Sequence, residues 1–535
     1  MKFYNRFSHN FKFVFLLLTT ALTLSYAGIL LLRPCGVHQW RQTDCLSIAT
    51  NFYERGMHFF GPEIHCLISD GLTTGMTAGE CPITYYFVAS LWKIFGKHEW
   101  IYRLFTMILF LTGVFCFYKT LVKIHRDFFW NALFALSLLT SPILVYYGSG
   151  FLADIHALSL VFVASYFMML YGTVAKPKHL VLALGFFAVA GLIKITALLL
   201  FLTFFGLFLL ELVGVKLWRD RKIFVHKVLG FMLFFAMIVL VTLWYVYAAY
   251  YNDWHEGKYT FNDIWPIWEA GGKRIKVIVE SLRSIMIYQV FPKTWIYALV
   301  VMVLVLLMNL KRIPKLLTLG LAILSVGCVL YMILWFDAFD IHDYYVTNLF
   351  VLPAAITVSF YYFITKYWSF AMQLKHVKVI SGLCILWGIF YASSNISLRL
   401  FPKENRLYLT TGSQPEVDLY KYTNWHYQLN IKALESIEPF LEGIGVAKDD
   451  LVITQPDPSF CINLYLMNRR GWSAMGVDAN TSEGMWKRIY RGAKFLVVTD
   501  ENVAAEKPFL AEFMTHEIGT YQNVVVFDLR PFSKQ

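Results

Sequence analysis

The amino-acid sequence predicts a polytopic α-helical membrane protein: about eleven transmembrane helices, interfacial helices in a first outer loop, and a C-terminal soluble α/β domain. Three observations predict it. Of 535 residues, 58% are hydrophobic, 18% aromatic and only 15% charged, whereas soluble domains carry roughly 25% charged residues. Apolar runs near the ~20 residues that a bilayer-spanning helix needs recur along residues 1–400. Over 401–535 the pattern becomes short β-rich stretches alternating with helical ones, which argues an α/β domain.

Lys2, Arg6 and Lys12 precede the first apolar run, 13–32. It has no small-residue cleavage site and reads as an uncleaved span rather than a removed signal. A polar loop, 33–98, follows, and its second half contains the apolar stretch Ile83–Phe95. At about 13 residues its length fits either a short span or a helix lying in the interface. The later runs lie near 100–122, 128–147, 153–172, 179–193, 195–213, 229–251, 294–310, 316–336, 346–365 and 378–397. If Ile83–Phe95 does not cross, the basic clusters Lys119–Arg126, Lys176–Lys178, Lys216–Lys227, Lys311–Lys315 and Lys366–Lys378 all fall on the same side as the N-terminus, against only Asp127 and Asp220. Counting it as a span would turn that charge outward, contrary to the positive-inside rule. Ile83–Phe95 is therefore read as a juxtamembrane helix. The outward segments are then the first loop, Gly148–Asp154, a loop of about 252–293, Phe336–Tyr345 and the tail. In the tail, strands are expected at Leu451–Thr454, Lys494–Thr499 and Val524–Leu529, with helices near Ser459–Met467 and Pro508–His516.

The net charge of +12 is explained by these loops, and nucleic acid is not an expected partner; the bilayer is. Cys35, Cys45, Cys66 and Cys81 share the first loop, so one or two bridges are candidates if it faces an oxidising compartment. No internal repeat, Gly-rich phosphate loop or metal-type Cys/His spacing occurs. The absence of symmetric halves argues against many transporter folds.

The densest chemistry lies in His38-Gln-Trp-Arg-Gln-Thr-Asp44. Arg41 and Asp44 are three apart and share a helix face, with His38 three before Arg41. A carboxylate beside a cation at a membrane surface can take a proton from an acceptor while the Arg binds an anion such as a phosphate; the plain alternative is an exposed polar helix with an i, i+3 pair. Asp154 stands at the outer edge of an apolar run, and Lys194 interrupts another. Ionisable groups there are costly and face a cavity or a partner, unless they snorkel or sit in a tight hairpin. Asp337, Asp340, His342 and Asp343 form a charged loop whose oxygens are candidate ligands for a divalent cation; no cofactor is otherwise indicated. Tyr344, Tyr345 and the loop tryptophans Trp254, Trp265 and Trp268 read as interfacial anchors. Asn395-Ile-Ser397 and Asn480-Thr-Ser482 match the glycosylation pattern.

The order Trp-Arg-Gln-Thr-Asp44, Asn51-Phe-Tyr-Glu-Arg-Gly56, Glu80-Cys-Pro82, Phe95-Gly96 with Glu99, and Arg103-Leu resembles the first loop of C-type glycosyltransferases. It is most similar to the branch containing protein O-mannosyltransferases and the aminoarabinose transferase that modifies lipid A. Tyr146-Tyr147, Asp154, Leu192-Ile-Lys194 and His342-Asp343-Tyr344-Tyr345 before Pro353 extend the resemblance over roughly 10–400. It implies sugar transfer from a polyprenyl-phosphate sugar to a glycan, lipid or protein on the outer face. On it, Asp44 matches the acid taken as the acceptor's general base, and Asp154 matches a second acid shaping the same cavity. The chain has Ser47 and Cys81 where that branch carries basic residues, so the donor phosphate falls to Arg41, Lys194 or His342. His38, Glu80, Arg103, Asp343 and Tyr345 are assigned to the cavity. The expected setting is a bacterial inner membrane, N-terminus cytoplasmic and the C-terminal domain periplasmic. The competing class is a transporter or lipid flippase with Asp154 and Lys194 as pathway residues.

Overall fold

The computed structural model describes residues 8–219, 221–257, 263–340, 342–400, 413–500 and 502–534. Lys2, Arg6 and Asp220 of the charge argument lie outside the described residues, as does 401–412, where the sequence sets its domain boundary.

Every apolar run carries helix. Among the described residues seven helices are long and apolar enough to cross a membrane, or eight if the pair Gly272–Val290 and Lys293–Met308, bent by 92°, is one span. The chain is thus a multi-pass helical membrane protein. The remaining runs are shorter, for local reasons. The first breaks at Ser25, whose left-handed backbone (φ 62) separates His9–Thr23 from Tyr26–Ile29. The third divides where Ser141 and Pro142 start a new helix, Pro142–Tyr147, with the Ser141 hydroxyl accepting from the Leu144 amide. Pro177 opens Pro177–Ile193, which ends at the extended residue Lys194 before the turn Ile195–Leu198. Ile83–Phe95 is a separate 13-residue helix.

Contacts divide the chain into two interleaved units. The helical unit is Met1–Leu30, Arg103–Trp244 and Asp263–Val417; the loop–sheet unit is Leu31–Tyr102, Tyr245–Asn262 and Asp418–Gln535. The first outer loop therefore folds with the tail, rather than with the spans that flank it.

The loop–sheet unit is built on five strands, β1 (Leu451–Gln455), β2 (Gly471–Trp472), β3 (Ala493–Val498), β4 (Glu517–Tyr521) and β5 (Val524–Asp528), in the order β2-β1-β3-β5-β4. β1 is parallel to β2 and β3; β3–β5 and β5–β4 are antiparallel. The three expected strands are present. The two unforeseen ones are a two-residue strand and a polar edge strand, neither of which shows a β pattern long enough to read. The first loop joins this sheet at its β2 edge: the Leu67 amide donates to the Gly471 carbonyl (2.8 Å) and the Gly471 amide to the His65 carbonyl (3.2 Å). Leu67 lies in the same apolar core as Ile453, Trp472, Met485 and Leu496. The Trp472 indole donates to the Leu72 carbonyl (3.2 Å), and Arg470 pairs with Glu63 (2.7 Å).

Gly471 is the pinch point. Its φ is 151°, and a Cβ there would lie 1.8 Å from the Val452 carbonyl oxygen. Gly471→Ala is therefore expected to part β1 from β2 and release the loop. The loss is on the order of 3 kcal/mol or more, read as a lowered thermal midpoint and new protease cleavage within 57–80. A variant as stable as the parent would show that the strand can shift at no cost.

Candidate functional site

In the helical unit, the first turn of Ala153–Val174 carries Asp154, which is fully buried. The break at Lys194 aims its ammonium back at this carboxylate, 3.3 Å away. The sequence predicted both as ionisable groups needing partners; the structure makes each the other's partner. The Lys194 nitrogen also lies over the rings of Tyr345 (5.2 Å) and Tyr344 (5.9 Å). Both tyrosines are buried, so they are pieces of this cluster, not belt anchors. The Tyr345 carbonyl accepts from the Tyr331 hydroxyl (3.0 Å), which fixes the segment. His342 packs against Tyr344 and Tyr345 and stacks on Trp265 at 6.2 Å. Trp265 thus has a partner within the cluster, while Trp268 is exposed.

A second charged group borders the first through Asp343. Its carboxylate accepts from the Tyr147 hydroxyl and pairs with Arg399 (3.4 Å). The buried guanidinium of Arg399 also donates to Asn395 Oδ1 (3.1 Å) and lies over Tyr146 (4.8 Å). Asn395 in turn donates to Glu416 (2.7 Å). A buried, hydrogen-bonded Asn395 is not a free glycan acceptor, contrary to the sequence pattern. Asn480 is likewise engaged, accepting from Lys507 at 2.6 Å. Arg399 and Glu416 were missed. A signal existed: a basic residue ending an outward span end, where the charge rule predicts few, four residues after an Asn. Arg103 donates to the Ser149 carbonyl (2.7 Å) and lies over Phe151 (4.1 Å).

The cation expectation for the acidic loop does not fit this arrangement. Asp337 and Asp340 both bind Arg274, each at 2.5 Å, and Asp343 faces Tyr147 and Arg399. Among the described residues no group of three or more His, Cys, Asp or Glu is placed to hold a metal.

In the loop–sheet unit, helix Gln39–Arg55 carries Arg41 and Asp44, both buried. His38 precedes it in a left-handed conformation (φ 57), at the N-cap position, and so does not continue the Arg41 face. Arg41 pairs with Glu80, and Tyr85 donates to the same carboxylate oxygen. The phosphate ligand of the sequence reading is thus already engaged by a buried acid. Asp44 shares its face with Ser47 and Asn51, three and seven residues on. The Ser47 hydroxyl lies 2.7 Å from His65 Nδ1 and accepts from the His65 amide (2.8 Å); Cys461 Sγ is 3.6 Å from the same hydroxyl. Burial among cations holds His65 neutral, well below the usual imidazole range. Burial, then the nearby Asp44 carboxylate, pushes the Cys461 thiol far up, and burial carries Cys45 to about 12. All eight cysteines are free thiols; the bridges considered for the first loop are not formed.

Asp457 closes this cluster's loop by accepting from Ser459 N (2.9 Å), Ser459 Oγ (2.6 Å) and Asn463 N (2.9 Å). Burial nevertheless raises its carboxyl to about 6. A folded value above the unfolded one means the folded chain binds more protons between them, so stability falls as pH rises from about 4 to 6 and is flat above. Asp457→Asn is expected to flatten that slope in unfolding measurements across the window. An unchanged slope would assign it to another group.

Residues 79–249 match a family model described as dolichyl-phosphate-mannose-protein mannosyltransferase. No curated protein matches the chain. Its fold is similar to that of ArnT from Cupriavidus metallidurans bound to undecaprenyl phosphate, with 13% identity, 96% of this chain and 97% of that one covered, and a TM-score of 0.57. The same protein in the apo state gives 14%, 97%, 98% and 0.55. An oligosaccharyltransferase from Archaeoglobus fulgidus, in complex with Zn and sulfate, gives 11%, 95%, 72% and 0.54. The chain thus shares its overall fold with these two proteins, and its segment 79–249 is similar to the mannosyltransferase family.

Proposed function

We propose that the chain carries out an inverting transfer of a sugar from a polyprenyl-phosphate donor to a glycan, lipid or protein hydroxyl on the outer face of a bacterial inner membrane. The N-terminus is cytoplasmic and the loop–sheet unit periplasmic, with the shorter apolar helices completing about eleven spans. Asp44 takes the acceptor's proton; the acceptor oxygen attacks the anomeric carbon; the bond to phosphate breaks, and polyprenyl phosphate leaves with the electron pair. Lys194 neutralises the phosphate, assisted by His342, and Asp154 holds Lys194 in place. Arg41 and Lys194 each face a carboxylate, Glu80 and Asp154; the phosphate role is given to Lys194 because it also lies over Tyr344 and Tyr345.

The observation that carries this reading is the buried Asp154–Lys194 pair under Tyr344 and Tyr345. A cation kept in a low-dielectric, aromatic-walled setting is where developing phosphate charge is stabilised most strongly. Purified protein in lipid vesicles, given labelled polyprenyl-phosphate sugars one at a time with envelope glycolipids or peptides, is expected to release free polyprenyl phosphate and label one acceptor class. Movement of the intact donor across the vesicle without cleavage would favour a flippase and overturn the proposal.

A further inference from the structure

The helical unit holds a cavity of about 330 Å³ far from the cluster just described. Helix Ala153–Val174 relates the two: Asp154 is in its first turn, while Gly172 and Thr173 at its other end line the cavity. Eighteen residues of helix at ~1.5 Å each separate Asp154 from Gly172 by about 27 Å, nearly the hydrocarbon thickness of a bilayer. The cavity therefore opens at the opposite leaflet, among the basic loop ends.

Its interior is hydrocarbon-like. Five Ser and Thr hydroxyls line it, and four of them, Thr120, Ser165, Thr173 and Thr203, donate to a carbonyl of their own helix, at 2.6–3.1 Å; the fifth is Ser359. The four bonded hydroxyls offer little to a polar guest. The mouth is the reverse, with Lys123, Trp218, Arg221 and Tyr362 as lining residues. Arg221 lies over the Trp218 ring (5.3 Å), Trp218 meets Tyr362 edge-on (5.5 Å), and the Tyr362 hydroxyl receives a hydrogen bond from Lys366 (3.3 Å). No Asp or Glu is among the described lining residues. The nearby Glu211 accepts from the backbone amides of Ile223 (2.9 Å) and Phe224 (2.6 Å), which pins the rim.

We propose that this cavity is a binding site for one anionic phospholipid of the leaflet opposite the transfer site. Its phosphate diester sits among Lys123, Arg221 and Lys366, its glycerol level against Trp218 and Tyr362, and an acyl chain fills the interior. The charges select the lipid: two or three cations, with no Asp or Glu among the described lining residues, favour a net negative headgroup over a zwitterionic one. The aromatic pair sets the depth, as such side chains do at headgroup level.

Native mass spectrometry of the full chain, delipidated and then offered equal phosphatidylglycerol and phosphatidylcholine, reads the preference. The expected result is one retained phosphatidylglycerol, favoured roughly tenfold. Lys123→Gln with Arg221→Gln brings the ratio close to one; both residues are exposed, so the fold tolerates the change. Ala355→Phe, which fills the cavity and leaves the charges, removes the retained lipid of either kind. Asp154→Asn with Lys194→Met, which removes the donor cluster's charge pair without stranding a buried carboxylate, leaves the ratio unchanged. Equal retention of both lipids by the parent chain, or parental preference in the double Gln variant, overturns the proposal. So does loss of phosphatidylglycerol in the double variant Asp154→Asn, Lys194→Met alone, which would put the lipid at the donor cluster.

Discussion

Asp44→Asn is expected to lower sugar transfer by on the order of 10²–10⁴-fold, the range a positioned general base supplies, with donor binding and thermal stability close to those of the parent. Asn keeps the shape of the side chain, so the fully buried position on helix Gln39–Arg55 is not emptied. What is lost is the ability to accept a proton. Measured transfer rates with saturating donor, beside an unfolding curve, separate this from a folding defect. Turnover within a few-fold of the parent would remove Asp44 from the base role. Ser47→Ala is the control on the same face: it breaks the contact with His65 but leaves the carboxylate, and should cost stability more than rate.

Lys194→Met is expected to act on both stability and activity. The substitution leaves the fully buried Asp154 carboxylate without the ammonium 3.3 Å away, and breaking one side of such a pair costs about 3–5 kcal/mol. The double variant Asp154→Asn, Lys194→Met removes both charges and should recover most of that loss. Its activity should not recover, because the donor phosphate then meets no cation; a deficit of roughly 10²–10³-fold is the scale for a lost electrostatic contact to the departing group. Activity returning together with stability would make Asp154–Lys194 a structural pair only. Unfolding midpoints for the three variants and release of labelled polyprenyl phosphate distinguish these outcomes.

Much of the architecture is legible in the sequence because it depends on local periods. Apolar length marked the helical runs, and the charge asymmetry kept Ile83–Phe95 out of the span count; it forms as a separate helix of 13 residues. Short β-rich stretches set between helical ones marked β1, β3 and β5. The strands that escaped notice carry too little pattern: β2 is Gly471–Trp472, and β4 is largely polar. The compact units were also beyond local reading. Joining the first loop to the tail depends on hydrogen bonds such as Leu67 to Gly471, across some four hundred residues, and on a glycine whose lack of a side chain lets two backbones meet.

The site divides the same way. By itself the sequence determined which ionisable residues stand where hydrocarbon or an interface makes them expensive: Asp44, Asp154, Lys194 and the His342-Asp343 segment. Cost is a property of position along a run, and position is written in the chain. Only the tertiary structure decided the partners. Arg41 faces Glu80, Lys194 faces Asp154, and Asp343 is held by Tyr147 and the unforeseen Arg399. A buried charge is satisfied by whichever opposite charge or donor the packing brings within about 3–4 Å, and that choice is made between residues 39 to 196 apart, where no sequence period reaches.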